Sequence, residues 1–185
     1  MRLSPFRLLP PIALVLSCSI APAHAQGSCT QDLLASGYFS NSVLIFDACT
    51  GEYLRQLDDS GRIRGPQAVR LDPAGQLLYV VSEGNDQVLR YRLSDYAFVD
   101  VFAQFAASFD PTGLDFGAGD DVYVASYGTQ QVVRLDTQSG AVTGTVLTAS
   151  SGLRGPDNGL GVGPDGALYV PGYDSDSVAR VQLGS

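Results

Sequence analysis

Residues 66–93 read PQAVRLDPAGQLLYVVSEGNDQVLRYRL, and this stretch decides the fold because the chain repeats it. A related stretch, PTGLDFGAGDDVYVASYGTQQVVRL, occupies residues 111–135, and a third begins at Pro156. Pro66, Pro111 and Pro156 are therefore 45 residues apart each time. A fixed interval of this length indicates a repeat architecture in which each repeat is one supersecondary unit.

Each repeat contains short apolar segments bounded by Gly, Pro, Asp or Asn, and no segment has a sustained helical periodicity. In the second repeat the predicted strands are 68–71, 77–81, 87–93 and 98–105. The turn DPAG at 72–75 joins the first two, because Pro presets φ and Gly tolerates positive φ. Such four-stranded antiparallel repeats, packed radially, form a β-propeller. The sequence thus predicts an all-β fold, a β-propeller of four-stranded antiparallel blades.

The ends of the array predict an incomplete ring. Within a repeat domain at 26–185, the blades are expected at about 33–58, 66–105, 111–148 and 156–183. The first begins at its second strand and the last stops after its third, so fourteen strands are expected instead of the sixteen of four full blades. We expect an open arc that either belongs to a longer chain or is completed by a second copy. Its open blade edges would favour self-association.

Residues 1–25 have the layout of a secretory signal, with two Arg near the start, an apolar run at 12–16 and the small-residue ending AHA. This layout predicts cleavage before Gln26 and a secreted or periplasmic protein. The apolar run is too short to span a bilayer, which needs about 20 residues. The alternative is lipoprotein processing at Cys18, which would also place the mature chain outside the cytoplasm.

Composition excludes several functions. After residue 25 the chain has nine Arg against nineteen acidic residues, a net charge of −10. No basic stripe remains for nucleic acid, and an anionic membrane would repel such a surface. The chain has no Lys, and its one His lies in the predicted signal. A His- or Lys-assisted nucleophile is excluded unless a partner supplies the base, and so is a His-ligated metal. Oxygen-ligand metal chemistry, carboxylate acid–base catalysis and binding without catalysis remain.

Two cysteines follow the signal, Cys29 and Cys49. In an oxidising compartment such a pair predicts one disulfide, which would tie the N-terminal arm to a hairpin turn. In the loop-entropy description it would stabilise the fold by about 3 kcal/mol. The alternative is two unpaired buried thiols, and neither interpretation implies catalysis.

The repeats also carry a family resemblance. Residues 132–140 read VVRLDTQSG and residues 43–51 read VLIFDACTG, and residues 78–82 of the second repeat, LYVVS, follow the pattern L-Y-V-x-S. These segments resemble the NHL and YVTN-type repeats of secreted bacterial propellers, in the superfamily of six-bladed TolB-like propellers. The resemblance covers nearly the whole chain after the signal. It implies the fold more than the function, because the superfamily includes both binding modules and enzymes.

One branch of that superfamily is the SMP-30/gluconolactonase group of metal-dependent lactone hydrolases. The segment NGL at 158–160, followed by GPDG at 163–166, is similar to that group's Asn-Gly-Leu segment, whose Asn coordinates the metal. The resemblance implies a metal ligand at Asn158. The group's other ligands, a Glu near the start and an Asp one blade later, have no matching positions here. A turn-capping role for Asn158 is the alternative.

Acidic and amide residues also cluster on one predicted face. In a propeller the turns between second and third strands open on the same face as the loops leading into the first strands. Hard oxygen ligands grouped there would suit Ca²⁺, which takes about six to eight of them. The alternative is a set of solvated hairpin tips. The turns carry Glu83, Asn85, Asp86, Asp174 and Asp176, and the loops carry the candidate metal ligands Asp110, Asp157 and Asn158.

Two further patterns predict structure instead of function. GVGPDG at 161–166 matches G-x-G-x-x-G but precedes a strand and contains Pro, which argues against nucleotide binding. An Arg and a Tyr recur at one position each in three repeats, which is typical of structural contacts in a repeat array. These residues are Arg90, Arg134 and Arg180, and Tyr79, Tyr123 and Tyr169.

The sequence therefore favours a secreted or periplasmic binding or scaffold module without catalysis. Its partner would be a protein, peptide or glycan at the loop-bearing face, with no nucleic acid, no membrane span and no cofactor beyond a candidate Ca²⁺. One alternative is a Ca²⁺-dependent lactone hydrolase with Asn158 as a ligand. The other is an inactive fragment of a longer propeller.

Overall fold

The computed structural model describes residues 31–119 and 121–183. The predicted signal at 1–25, the lipoprotein site at Cys18 and the cysteine at Cys29 lie outside the described residues. The signal and the disulfide between Cys29 and Cys49 therefore remain predictions.

The described residues form four antiparallel sheets, which we call blades 1 to 4. Blade 1 contains β1 (Asp32–Gly37), β2 (Ser42–Asp47) and β3 (Tyr53–Gln56), and blade 2 contains β4 (Pro66–Leu71), β5 (Leu77–Ser82), β6 (Gln87–Arg92) and β7 (Phe98–Gln104). Blade 3 contains β8 (Pro111–Phe116), β9 (Asp121–Ser126), β10 (Gln131–Asp136) and β11 (Val142–Leu147), and blade 4 contains β12 (Gly161–Val162), β13 (Ala167–Gly172) and β14 (Ser177–Gln182).

Each blade is a meander in which strands adjacent in sequence pair with each other. The only helical segments among residues 31–119 and 121–183 are three 3₁₀ turns, Glu83–Asn85, Ala149–Ser151 and Tyr173–Ser175. None of the helices in this part of the chain has the length and apolarity to cross a membrane. The all-β prediction is confirmed, and so is the strand pattern of three, four, four and three across the described blades.

Strand β5 shows why the blades stack. Its side chains point alternately to the two faces of the sheet. Leu78 and Val80 belong to the core between blades 1 and 2, whereas Tyr79 and Val81 belong to the core between blades 2 and 3. A third core lies between blades 3 and 4 and includes Leu168. Because both faces of the central blades are buried, their strands are continuously apolar instead of alternating.

The outer faces of blades 1 and 4 are not covered by any described residue. Val88 and Val132 are fully buried on the third strands of blades 2 and 3. Val178 occupies the equivalent position on β14 and is 63% exposed. On the other end of the arc, Leu33 of β1 is 55% exposed, whereas its equivalent Leu78 is buried. The described blades therefore present two apolar faces.

A repeated hydrogen bond fastens each blade to the next, and we call it the inter-blade latch. Asn41, Asp86 and Gln130 lie in the turns after β1, β5 and β9 and have left-handed backbones, with φ of 52°, 56° and 59°. The side-chain oxygen of each accepts a hydrogen bond from a backbone N–H that leads into the next blade. The donors are Gly65 at 2.8 Å, Asp110 at 2.9 Å and Gly155 at 2.7 Å.

The two equivalent valines on β10 and β14 allow a matched test of the arc. We expect Val132→Ala to lower the free energy of unfolding by about 1.5–3 kcal/mol, because the side chain is fully buried between blades. Val178→Ala should change it by less than about 0.5 kcal/mol, because that side chain is exposed. Urea unfolding measures both values. Equal losses would contradict the prediction and show that the face of blade 4 is covered in solution.

The latch predicts a difference between two substitutions of Asp86. Asp86→Ala removes the acceptor for the Asp110 N–H and places Ala in the left-handed region, so we expect a loss of about 1–3 kcal/mol. Asp86→Asn keeps an oxygen acceptor and tolerates the left-handed backbone, so its loss should be clearly smaller. Urea unfolding of the two variants tests this order, and equal losses would rule out the latch as a source of stability.

Candidate functional site

The turns after β1, β5, β9 and β13 converge on one cleft of about 390 Å³, which we call the four-blade cleft. The first residue of each turn lines it, so every blade contributes one side chain from an equivalent position. The remaining lining residues come from the segments that begin the first strands. The lining comprises Tyr38, Glu83, Tyr127 and Tyr173 from the turns, together with Gln67, Thr112 and Asp157.

Glycines make room for two of the tyrosine rings. A Cβ on Gly65 would lie 3.0 Å from Cε2 of Tyr38, and a Cβ on Gly155 would lie 3.0 Å from Cε2 of Tyr127. Both glycines have positive φ, which also favours the absence of a side chain. Asp110 occupies the position equivalent to Gly65 and Gly155 in the segment between blades 2 and 3, and the turn residue there is Glu83 instead of Tyr. Glycine therefore occurs in the segment between blades where the turn residue is Tyr, and Asp110 occurs where the turn residue is Glu83.

A chain of side-chain hydrogen bonds crosses the cleft from blade 1 to blade 4. The Tyr38 hydroxyl donates to Oε1 of Glu83 at 3.2 Å, and Nε2 of Gln67 donates to Oε2 of Glu83 at 2.5 Å. Nδ2 of Asn158 then donates to Oε1 of Gln67 at 3.1 Å. Both oxygens of the Glu83 carboxylate are therefore hydrogen-bonded, and the carboxylate is fixed in place.

The electrostatic environment of the cleft is negative. Burial raises the pKa of Glu83 above its ordinary value of 4.5, and the charges of Asp110 and Asp157 act in the same direction against the hydrogen bonds from Gln67 and Tyr38. The negative charge of Glu83 in turn raises the pKa of Tyr38. Among the described residues that line the cleft, none is basic.

The predicted metal ligands lie near this cleft, but their observed contacts are with protein groups. Asp157 lines the cleft and accepts a hydrogen bond at its Oδ1 from the Asn158 N–H at 2.7 Å. The backbone N–H of Asp110 donates to the latch residue Asp86. The part of the chain that the structure describes contains no group of three or more His, Cys, Asp or Glu placed to hold a metal ion. The metal set of Asn158, Asp157 and Asp110, with Ca²⁺, remains a prediction.

The other acidic and amide residues on this face have different surroundings. Asp86 is a latch residue, and Asp176 has the same left-handed backbone in blade 4, with φ of 48°. Nδ2 of Asn85 donates to the carbonyl oxygen of Arg62 at 2.9 Å. Asp174 lies beside Tyr127, where its hydrogen bond and negative charge raise the pKa of the Tyr127 hydroxyl. Of the predicted rim residues, the structure brings Glu83 and Asp157 together as lining residues of the cleft.

The recurring Arg residues make ion pairs within their own blades. The guanidinium of Arg90 donates two hydrogen bonds to Asp100, at 2.8 and 2.6 Å, and lies 4.9 Å from the Phe102 ring centroid. The pairs in blades 3 and 4 are Arg134 with Asp121 at 3.7 Å and Arg180 with Asp165 at 2.7 Å. Of the recurring Tyr residues, Tyr79 and Tyr123 are buried between blades.

Sequence reasoning missed the three tyrosines of the cleft. The acidic and amide residues of the turns were predicted instead, because their side chains supply oxygen ligands for a metal ion. The signal was nevertheless present, because aligning the four repeats places one aromatic or acidic residue at the start of each turn. The aligned segments are SGYFSNSV from residue 36, VSEGNDQV from 81, ASYGTQQV from 125 and PGYDSDSV from 171.

Comparison with solved structures identifies the fold. A streptogramin B lyase structure aligns with a TM-score of 0.66 and 14% sequence identity, covering 82% of this chain and 48% of that chain. The chain has a β-propeller fold. An inactive virginiamycin B lyase from Staphylococcus aureus, solved with quinupristin, gives a TM-score of 0.64 and 12% identity over 84% of this chain and 50% of that chain.

A third similar structure is an auxiliary nutrient binding protein from Bacteroides thetaiotaomicron, with a TM-score of 0.60, 14% identity, and coverage of 81% of this chain and 44% of that chain. The chain thus spans about half the length of the structures that it matches. No protein-family model matches it, and no curated protein sequence does. At these identities the likeness establishes the fold alone.

The raised pKa of Glu83 predicts how stability depends on pH. The folded protein keeps this proton to higher pH than the unfolded chain, so the contribution of Glu83 to stability is full below about pH 4.5 and is lost as pH rises through the raised pKa. The unfolding free energy of the wild type minus that of Glu83→Gln should therefore decrease between about pH 4 and pH 7. Urea unfolding at both pH values measures the difference.

The matched control is Glu52→Gln, because Glu52 is the only other Glu of the chain and lies at an exposed turn. A difference between wild type and Glu83→Gln that stays constant or increases over this pH range would contradict the prediction.

Proposed function

We propose that this protein is a binding module whose partner occupies the four-blade cleft. The observation that carries the proposal is that the equivalent turn residue of every described blade lines one cleft. Tyr38 is 41% exposed, Tyr127 36% and Tyr173 71%, so these side chains are not buried in the core and are accessible to a partner. Tyr supplies a large rigid surface and a polar tip, which is why it is common in binding surfaces.

The rim of the cleft carries a further aromatic residue. Phe39 is 95% exposed and packs edge-on against Tyr38, with ring centroids 5.1 Å apart. A large apolar side chain held in solvent beside a cleft is typical of a contact surface for a partner. Together these features favour a protein, peptide or glycan that lies across the turns.

The wider setting of the proposal comes from the sequence. We place the protein among NHL or YVTN-type propellers that act outside the cytoplasm, on the basis of the repeat pattern and the signal-like residues 1–25. The fold is shared with a nutrient binding protein, which supports a binding role, and also with lyases. The proposed role involves no catalysis. Both oxygens of Glu83, the partly buried acid of the cleft, are engaged by protein donors.

A panel of displayed peptides and immobilised glycans tests the proposal. Ligands selected on the wild-type protein should bind the double variant Tyr127→Ala/Tyr173→Ala at least about tenfold more weakly, because exposed aromatic anchors dominate binding at such surfaces. Surface plasmon resonance measures the affinities. The matched control is Tyr53→Ala, which removes a tyrosine that is 53% exposed on the outer strand of blade 1.

Two results would contradict the proposal. One is a panel from which no ligand is selected. The other is a set of ligands that bind the double variant as tightly as the wild type.

The alternative function is a Ca²⁺-dependent lactone hydrolase. The observation that favours it is the position of Asn158, which contacts the lining residue Gln67 next to Asp157. A thermal melt in EDTA and then in millimolar Ca²⁺ separates the two functions. The binding proposal predicts no shift, whereas Ca²⁺ at a hundred times its Kd would raise Tm by about 5–10 °C. A shift of that size, abolished by Asn158→Ala, would favour the hydrolase.

A further inference from the structure

Resting on the proposed function, we propose that the four-blade cleft recognises an organic cation, whose ammonium group lies among the rings of Tyr38, Tyr127 and Tyr173. The ligand class would include alkylammonium compounds and peptides that present a basic side chain. The inference depends on the rings, on the charges around them and on the absence of a basic lining residue among those described.

The rings supply the first part of the site. An aromatic face attracts a cation through its quadrupole, and several rings around one space form a cage for ammonium groups. Three rings from blades 1, 3 and 4 line the same cleft, and each keeps a substantial exposed surface. The glycines at 65 and 155 allow the rings of Tyr38 and Tyr127 to lie close to the backbone.

The carboxylates supply the second part. Glu83 and Asp157 line the cleft, and Asp110 is close enough to act on the charge of Glu83. A further acid, Asp174, acts on Tyr127 through its negative charge. The negative charges around the aromatic rings strengthen the attraction for a positive ligand and repel an anionic one.

Within the described residues, the side chains that donate to the Glu83 carboxylate include no cation. Taking a carboxylate out of water is costly unless an opposite charge compensates it. The hydrogen-bond donors to Glu83 are Tyr38 and Gln67, which are both neutral. The nearby Arg154 donates to the carbonyl oxygen of Asp174 at 3.2 Å and lines a different depression, with Gln130 and Leu153. A cationic ligand would provide the missing compensation.

A neutral sugar is a weaker match to this arrangement. It could stack on the tyrosines, but it would gain nothing from the net negative charge. Both carboxylate oxygens of Glu83 already accept hydrogen bonds from protein side chains, so fewer positions remain for sugar hydroxyl groups. Attraction between charges does not require a free lone pair, so a cation still benefits from Glu83.

The test compares choline with 3,3-dimethylbutan-1-ol, in which a neutral tert-butyl group replaces the trimethylammonium group at nearly the same shape. Titration followed by protein NMR gives both Kd values. We expect choline to bind with a Kd in the millimolar range and the alcohol to bind at least about tenfold more weakly. The shifted resonances should include those of Gly84, Gly128 and Gly155, which lie at the turns around the cleft.

Substitutions then separate the ring from the charge. Tyr127→Leu should weaken choline binding about fivefold or more, and Tyr127→Phe should weaken it less, because Phe keeps the aromatic face. Glu83→Gln should also weaken choline binding, without the same effect on the alcohol. Tyr53→Leu, on the outer strand of blade 1, should leave both Kd values unchanged.

The outcomes distinguish this inference from the proposed function. If the alcohol binds as tightly as choline, or if neither probe binds, the cation inference is overturned. The binding function then still stands if peptides or glycans selected on the protein lose affinity for Tyr127→Ala/Tyr173→Ala. If the panel also gives no ligand that depends on the cleft, both proposals fail.

Discussion

Packing between neighbouring blades is the contact on which the rest of the structure depends. A sheet such as blade 2 is apolar on both faces, with Leu78 and Val80 on one and Tyr79 and Val81 on the other. Such a sheet is stable only when another layer covers each face. The chain meets this requirement by placing a copy of the same sheet on either side. Each interface joins the same two different faces of the repeat, one from each blade, so every blade is placed on its neighbour in the same way. This regular stacking brings together the turns after β1, β5, β9 and β13.

The cleft follows from that arrangement and not from any single motif. One turn residue per blade lines it, beside Gln67, Thr112 and Asp157, so four of its seven described lining residues occupy a single repeat position. Three blades place Tyr there and one places Glu83. The chain has no Lys, and among residues 31–119 and 121–183 Arg is the only basic residue type that could balance the carboxylates. The recurring Arg residues instead pair with Asp within their own blades, and the acidic character of the cleft is retained.

The fold could be predicted almost completely from the sequence, because its determinants are local and repeated. The predicted strands 77–81 and 87–93 agree with β5 and β6 to within one residue, since turn residues and apolar runs define both ends. The site was much harder to predict. The contact of Asn158 with Gln67 joins residues that are 91 positions apart, and no short-range pattern reports it.

Individual residues show the same limit. Asp86 has the carboxylate expected of a metal ligand on the rim, yet that carboxylate accepts a hydrogen bond from the Asp110 N–H in the segment that leads into the next blade. The exposed tyrosines resemble ordinary turn residues until the four repeats are aligned with one another. Side-chain chemistry at a convergence point depends on which copies face each other, and that information is absent from each repeat taken alone.

The inter-blade latch has a consequence for how such a molecule can change. The acceptor lies in one repeat and the donor is a backbone N–H in the next, so no side-chain pair has to be matched between particular repeats. Asn, Asp and Gln all serve as the acceptor. A duplicated or deleted repeat would therefore find a compatible neighbour at once, and the number of blades can vary during evolution while the joints between them stay the same.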